Sequence, residues 1–182
     1  MMNERDAACV AAVRDWVEKA VIGLNLCPFA KAVYVREQVR FVVTHATTAE
    51  GLAGDLLEEL RLLQAADPQQ LETTLLIVPD MLADFLEFND FLDLAESVAG
   101  EAEFADAFQV AAFHPAWQFA DAAPDDMGHY TNRSPWPVLH LLREDSIDDA
   151  VAAIPDPRDI YQRNIETLQN LGPAGWKKLF SR

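Results

Sequence analysis

Between Phe113 and Glu144 the chain carries three of its four histidines (His114, His129 and His140), the adjacent Asp125 and Asp126, and Arg133, all set among turn-forming and aromatic residues. Each type points to a chemistry. His114 precedes Pro115, which favours an extended backbone at the residue before it and so fixes where the imidazole points, as a general acid or base requires. Cys27 lies in "NLCPF", at the end of an amphipathic stretch, where a thiolate near an imidazole can act as a nucleophile or metal ligand. The competing reading is an apolar plug, because free cysteine is among the most buried residue types. Cys9, inside the amphipathic stretch, reads as packing.

A divalent transition metal is one candidate cofactor, held by Asp126, by His129 three residues on, and by His114 as a third ligand. Against it stands a plain turn between Pro124 and Gly128, in which an aspartate caps its own backbone. His129 can equally be a solvated side chain, His45 a helix cap, and His140, between Leu139 and Leu141, a buried histidine bonded to a neighbour. Arg133 is better defined. In "YTNRSPWP" it sits beside the amide of Asn132, between Tyr130 and a stiff Ser-Pro-Trp-Pro run. A guanidinium matches carboxylate or phosphate oxygens in pairs, with an internal Asp or Glu as the competing partner. Trp117 and Trp136 are available as apolar walls, and the stiff chain after Arg133 predicts that it faces the inside of a pocket.

These residues need elements to hold them. Val10, Val13, Val17, Ala20, Val21 and Leu24 recur at helical spacing, predicting a helix from about Asn3 to Leu24 that Pro28 ends. The β-branched run Val39 to His45 reads as a strand, followed by a helix to about Ala66 that Thr47 or Thr48 can cap. Further strands are predicted at Thr73 to Pro79, Ala107 to His114 and Pro137 to Arg143, with a helix from Met81 to about Ala99. A short helix near Asp145 to Ala153 precedes a stronger one, with Asp156 at its N-cap, Pro157 at its first position and Gly172 as its stop. The tail after Gly172 reads as a short further helix. Residues 1–182 are thus expected to form a single α/β domain. Its sheet is predicted to be mixed and four-stranded, three parallel strands plus one antiparallel, with helices on both faces. Pro115 to Trp136 holds no helical period, so the last two strands should pair antiparallel across a long loop, and loops of that length usually carry function. It starts at the strand ends that bear Thr44, His45, Asp80 and His114, where ligands of open α/β sheets bind.

Composition narrows the partners. With 14 Lys plus Arg against 30 Asp plus Glu the formal charge is −16, which repels phosphate backbones and anionic lipid surfaces, so neither nucleic acid nor membrane is an expected partner. Charges interrupt the apolar residues at the N-terminus, no segment reaches transmembrane length, and the two cysteines do not form a disulfide framework, predicting a cytoplasmic protein. No glycine-rich nucleotide motif is present.

The blocks "GLNLCPFAK", "FHPAWQFA" and "YTNRSPWPVLHLLRED", in that order, resemble the signature blocks of a bacterial family, the domain of unknown function 1415. The resemblance implies that Cys27, His114, Asn132, Arg133 and His140 belong to motifs that define the family, and it assigns them no chemistry. From the residues, the expectation is an enzyme acting on a small anionic metabolite, with Arg133 and Asn132 holding the anion, Tyr130, Trp117 and Trp136 around it, and His114 and Cys27 reacting. The alternative is a non-catalytic binding or assembly protein using the same loop as a partner surface. A catalytic pocket should gather His114, Arg133 and either Cys27 or Asp126 in one cleft.

Overall fold

The computed structural model describes residues 1–181. Helix α1 (Glu4–Trp16) starts at Asn3, whose side chain accepts from the Asp6 N–H, and the chain continues as a wider π-helical segment over Val17–Ile22. Val10, Val13, Val17 and Ala20 are buried, so the apolar spacing does mark a helical face even where the winding changes. Helix α2 (Ala30–Val35) follows. Its six residues include no buried one and no side-chain cap, so neither signal of a helix is present in the sequence there.

Four strands alternate with longer helices: β1 (Val39–Val43), α3 (Ala49–Ala65), β2 (Thr73–Ile77), α4 (Phe85–Ala99), β3 (Phe108–Phe113) and β4 (Val138–Arg143), then α5 (Glu144–Ala152) and α6 (Pro157–Leu179). Local chemistry sets the helix starts. Thr48 accepts from the Gly51 N–H at α3, Asp84 from Leu86 and Glu87 at α4, and Asp156 from Arg158 at α6 with Pro157 in the first turn, each satisfying a donor that a helix N-terminus leaves free. Helix α6 breaks at Gly172 (φ 69°, ψ 173°) and resumes after it. That backbone conformation is all but restricted to glycine.

The sheet order is β1-β2-β4-β3. This corrects the expected three parallel strands: β1–β2 is the one parallel pair, and β4 lies between β2 and β3, antiparallel to both. The reason lies in burial. Every residue of β2 is buried, as are Val138, Leu139 and Leu141 of β4, whereas β3 exposes Gln109. The strands with apolar residues on both faces take the centre and the one with a polar residue takes an edge. The antiparallel β3–β4 pair spans the long loop. Because β2 and β3 are both antiparallel to β4, their carboxyl ends share one edge with that of β1, where Val43, Ile77, Val138 and Phe113 are in register.

Helices cover both faces. Leu52, Leu56, Leu60 and Leu63 of α3 and Phe88 and Phe91 of α4 pack on Leu76, Leu139 and Leu141. On the other face Val10, Val13 and Trp16 of α1 pack on Leu75, Ile77 and Val138. No helix among the described residues is long and apolar enough to cross a membrane.

Candidate functional site

Two histidines hold the long loop in place. His114, 1% exposed, accepts the Ala116 backbone N–H at Nδ1 (3.0 Å), which leaves the proton on Nε2 to donate to the Leu82 carbonyl (2.9 Å). Its ring packs against Phe85 and Phe88, and burial pushes its pKa below the ordinary value. His129 repeats the pattern at 0% exposed, accepting from the Phe119 N–H at Nδ1 (3.0 Å) and donating from Nε2 to the Ala123 carbonyl (2.7 Å). Asp126 caps the 3₁₀ turn Met127–Asn132 by accepting from the Gly128 N–H (2.7 Å). The Asn132 side-chain amide donates to the Ala112 carbonyl (3.1 Å) and the Asn132 backbone carbonyl accepts from the His114 backbone N–H (3.0 Å), fastening the end of the loop to β3. These bonds give the residues structural partners in place of the open geometry expected of them. His114 has no free nitrogen for a substrate proton, Asn132 faces backbone, and Asp126, His129 and His114 do not gather; among the described residues no three His, Cys, Asp or Glu form a metal-holding group.

Arg133 is arranged differently. Its Nε donates to the Trp117 carbonyl (3.0 Å) and its guanidinium lies over the Tyr130 ring, 4.5 Å from the centroid. Among the described residues no carboxylate lies within ion-pair distance, and its two Nη groups have no partner and are not enclosed. Arg133 lines a cleft of about 380 Å³ together with Tyr130, Ser134 and Pro135 of the loop and Pro115 just past β3. Ala12, Asp15 and Trp16 of α1, with Trp176 and Phe180 beyond the break in α6, complete the lining. Trp176 meets Tyr130 edge-on at 4.9 Å and Phe180 at 5.4 Å. Asp15 is paired with Lys19 through both oxygens (2.8 and 3.1 Å).

Residues 8–178 match the family model described as Protein of unknown function (DUF1415). The chain belongs to this family. No curated protein and no solved structure matches it.

The second and third of the three sequence blocks meet in the structure through the Asn132–His114 and Arg133–Trp117 bonds. The first block packs below them: Leu26 clusters with Met127 and Leu168 beside Tyr130, and its carbonyl accepts from the buried Asn164 amide (2.8 Å). Cys27 is half-buried and does not line the cleft, whereas Cys9 is enclosed in the α1 core, where burial pushes its thiol pKa up. Trp117 and Trp136 pack into the two cores and are not cleft walls. His140 donates from Nε2 to Thr73 Oγ1 (2.9 Å), whose own hydroxyl proton goes to the Leu141 carbonyl (2.6 Å). Of the residues expected at the site, the structure therefore brings Arg133 and Tyr130 to the cleft. Asp15, Trp16, Trp176 and Phe180 carry no sequence signal for it: α1 and the tail read as packing elements, and only tertiary contact brings them together.

At the β1 and β2 ends the polar residues are consumed in docking helices. His45 lies 3.0 Å from Asp6 through Nε2 and 3.5 Å from Asp80 through Nδ1, and Arg5 pairs with Asp80 at 2.7 Å. The Thr44 hydroxyl bonds the Asp55 carboxylate. A second hollow between β1 and α3, about 520 Å³, is lined by Asp55, Glu58 and Glu59. Each already has a partner, in Thr44, Arg61 and Arg40 respectively.

Proposed function

We propose that the protein binds a small anionic molecule in the cleft between α1, the long loop and the end of α6, with Arg133 as the anion-binding group. One observation carries this reading. A cationic fork, fixed by a carbonyl and an aromatic face, opens onto a cleft with no internal carboxylate partner, in a chain whose acids outnumber its bases by 30 to 14. An arginine that pairs with none of the carboxylates of so acidic a chain leaves a charge that a bound anion would balance. The proposed activity is recognition: the histidines expected to react are occupied in holding the loop, and Cys27 is not a lining residue. Melting curves at constant ionic strength with acetate, benzoate or inorganic phosphate test the reading. At least one anion should stabilise the protein saturably, by mass action on the folded state, and the effect should vanish in Arg133→Ala. Stabilisation that Arg133→Ala leaves intact, or none from any of them, would overturn it.

A further inference from the structure

We infer that the ligand is a monocarboxylate with an apolar, ring-sized body, a deduction that rests on the anion-binding reading above. Charge comes first. The lining holds one cation, Arg133, and one carboxylate, Asp15, which Lys19 already neutralises. The site therefore offers a single uncompensated positive charge, and a second negative group would find no cation there to pair with. The guanidinium geometry selects further. With Nε committed to the Trp117 carbonyl, the side-on pairing mode is closed and the end-on pair of Nη groups remains, two parallel donors that match the two oxygens of a carboxylate. A phosphate monoester carries about −1.5 to −2 charge and three acceptor oxygens, more than one end-on fork balances.

The walls set the rest of the molecule. Trp16, Tyr130, Trp176 and Phe180 line the same cleft with aromatic surface, suited to an apolar body and adding ring–ring contact with an aromatic one. The volume of about 380 Å³ is near the lower end of the range for small-molecule sites, which fits one ring and a short acid arm. Dicarboxylates, phosphate esters and nucleotides match neither the charge nor the walls.

Calorimetric titration of the full chain with phenylacetate, acetate and inorganic phosphate tests the inference. Phenylacetate should bind most tightly, about tenfold or more over acetate, the equivalent of 1.4 kcal/mol. Phe180→Ala should shrink that advantage while leaving acetate unchanged. Arg133→Ala should abolish phenylacetate binding, and Arg133→Lys, which keeps the charge and the fold but not the fork, should weaken it about tenfold. Phosphate binding as tightly as phenylacetate, and lost in Arg133→Ala, would overturn the monocarboxylate class and leave the anion site standing. Acetate equal to phenylacetate would likewise overturn the apolar body. Binding of every probe unaffected by Arg133→Ala and Arg133→Lys, or no binding at all, would overturn both.

Discussion

Two arginines stand at opposite ends of the β4 region and use their donors in opposite ways. Arg143, the last residue of β4, sends Nη2 to the carbonyls of Leu63 (2.8 Å), Ala66 (3.3 Å) and Leu71 (2.9 Å), closing the end of α3. Arg133, ahead of β4, spends Nε on one carbonyl and leaves both Nη groups without a partner, in a residue that lines the cleft. The first arginine replaces the hydrogen bonds that a helix C-terminus lacks. The second is preorganised and unspent. Both lie beside apolar strands in the same stretch of sequence, so the role of each cation follows from where its donors go.

The largest expected effect breaks the structural half of this comparison. Arg143→Ala leaves three carbonyls without their donor and should lower unfolding free energy by about 3 kcal/mol, whereas Arg133→Ala should cost no more than about 1 kcal/mol for a lost hydrogen bond and cation–π contact. Urea titrations of the two variants check this. Equal losses would erase the distinction between the arginines.

A pH effect comes next, from the histidine inside β4. Burial pushes the His140 pKa from 6.5 down to about 4 in the folded protein, so as pH falls the unfolded chain takes up the proton first. Stability is fully present above about pH 6.5 and is lost progressively as pH falls towards 4, by about 3 kcal/mol. His114, shifted in the same direction, adds to this slope. Denaturant unfolding across that range should show a shallower slope in His140→Phe, which keeps Thr73 bonded to the Leu141 carbonyl; an unchanged slope would mean that the ring is solvated.

Smaller still is the effect at the break in α6. Gly172→Ala meets no steric neighbour but must hold φ at 69°, at a cost of about 1–2 kcal/mol. Since that break positions Trp176 and Phe180, the variant should also weaken phenylacetate binding more than acetate binding. A loss shared equally by both anions would detach the tail from the apolar side of the cleft.

Legibility in the sequence followed the range of the physics involved. Caps at Thr48 and Asp156, the Gly172 stop and the four strands rest on neighbours within a few residues, and they were readable. Helix α2, with neither a buried face nor a cap, was not. Insertion of β4 between β2 and β3 depends on which strands need cover on both faces, a comparison across the whole chain. The site divides the same way. Pro115 does mark a fixed backbone at His114, but the Leu82 carbonyl and the Phe85 and Phe88 rings that enclose the imidazole come from about 30 residues earlier. The stiff run after Arg133 correctly implied a chain lying against the sheet. Nothing local could show that a carbonyl and Tyr130 would hold the guanidinium, or that the tail would supply part of the cleft lining.

The most direct test of the central claim, that Arg133 presents an unspent fork to an anion, is a crystal structure of the protein soaked with phenylacetate. Carboxylate oxygens are expected about 2.7–2.9 Å from both Nη atoms, with Nε still on the Trp117 carbonyl and the ring against Trp176 and Phe180. A guanidinium turned onto Asp15 or another acid of the chain, with no ligand density at its Nη groups, would contradict it.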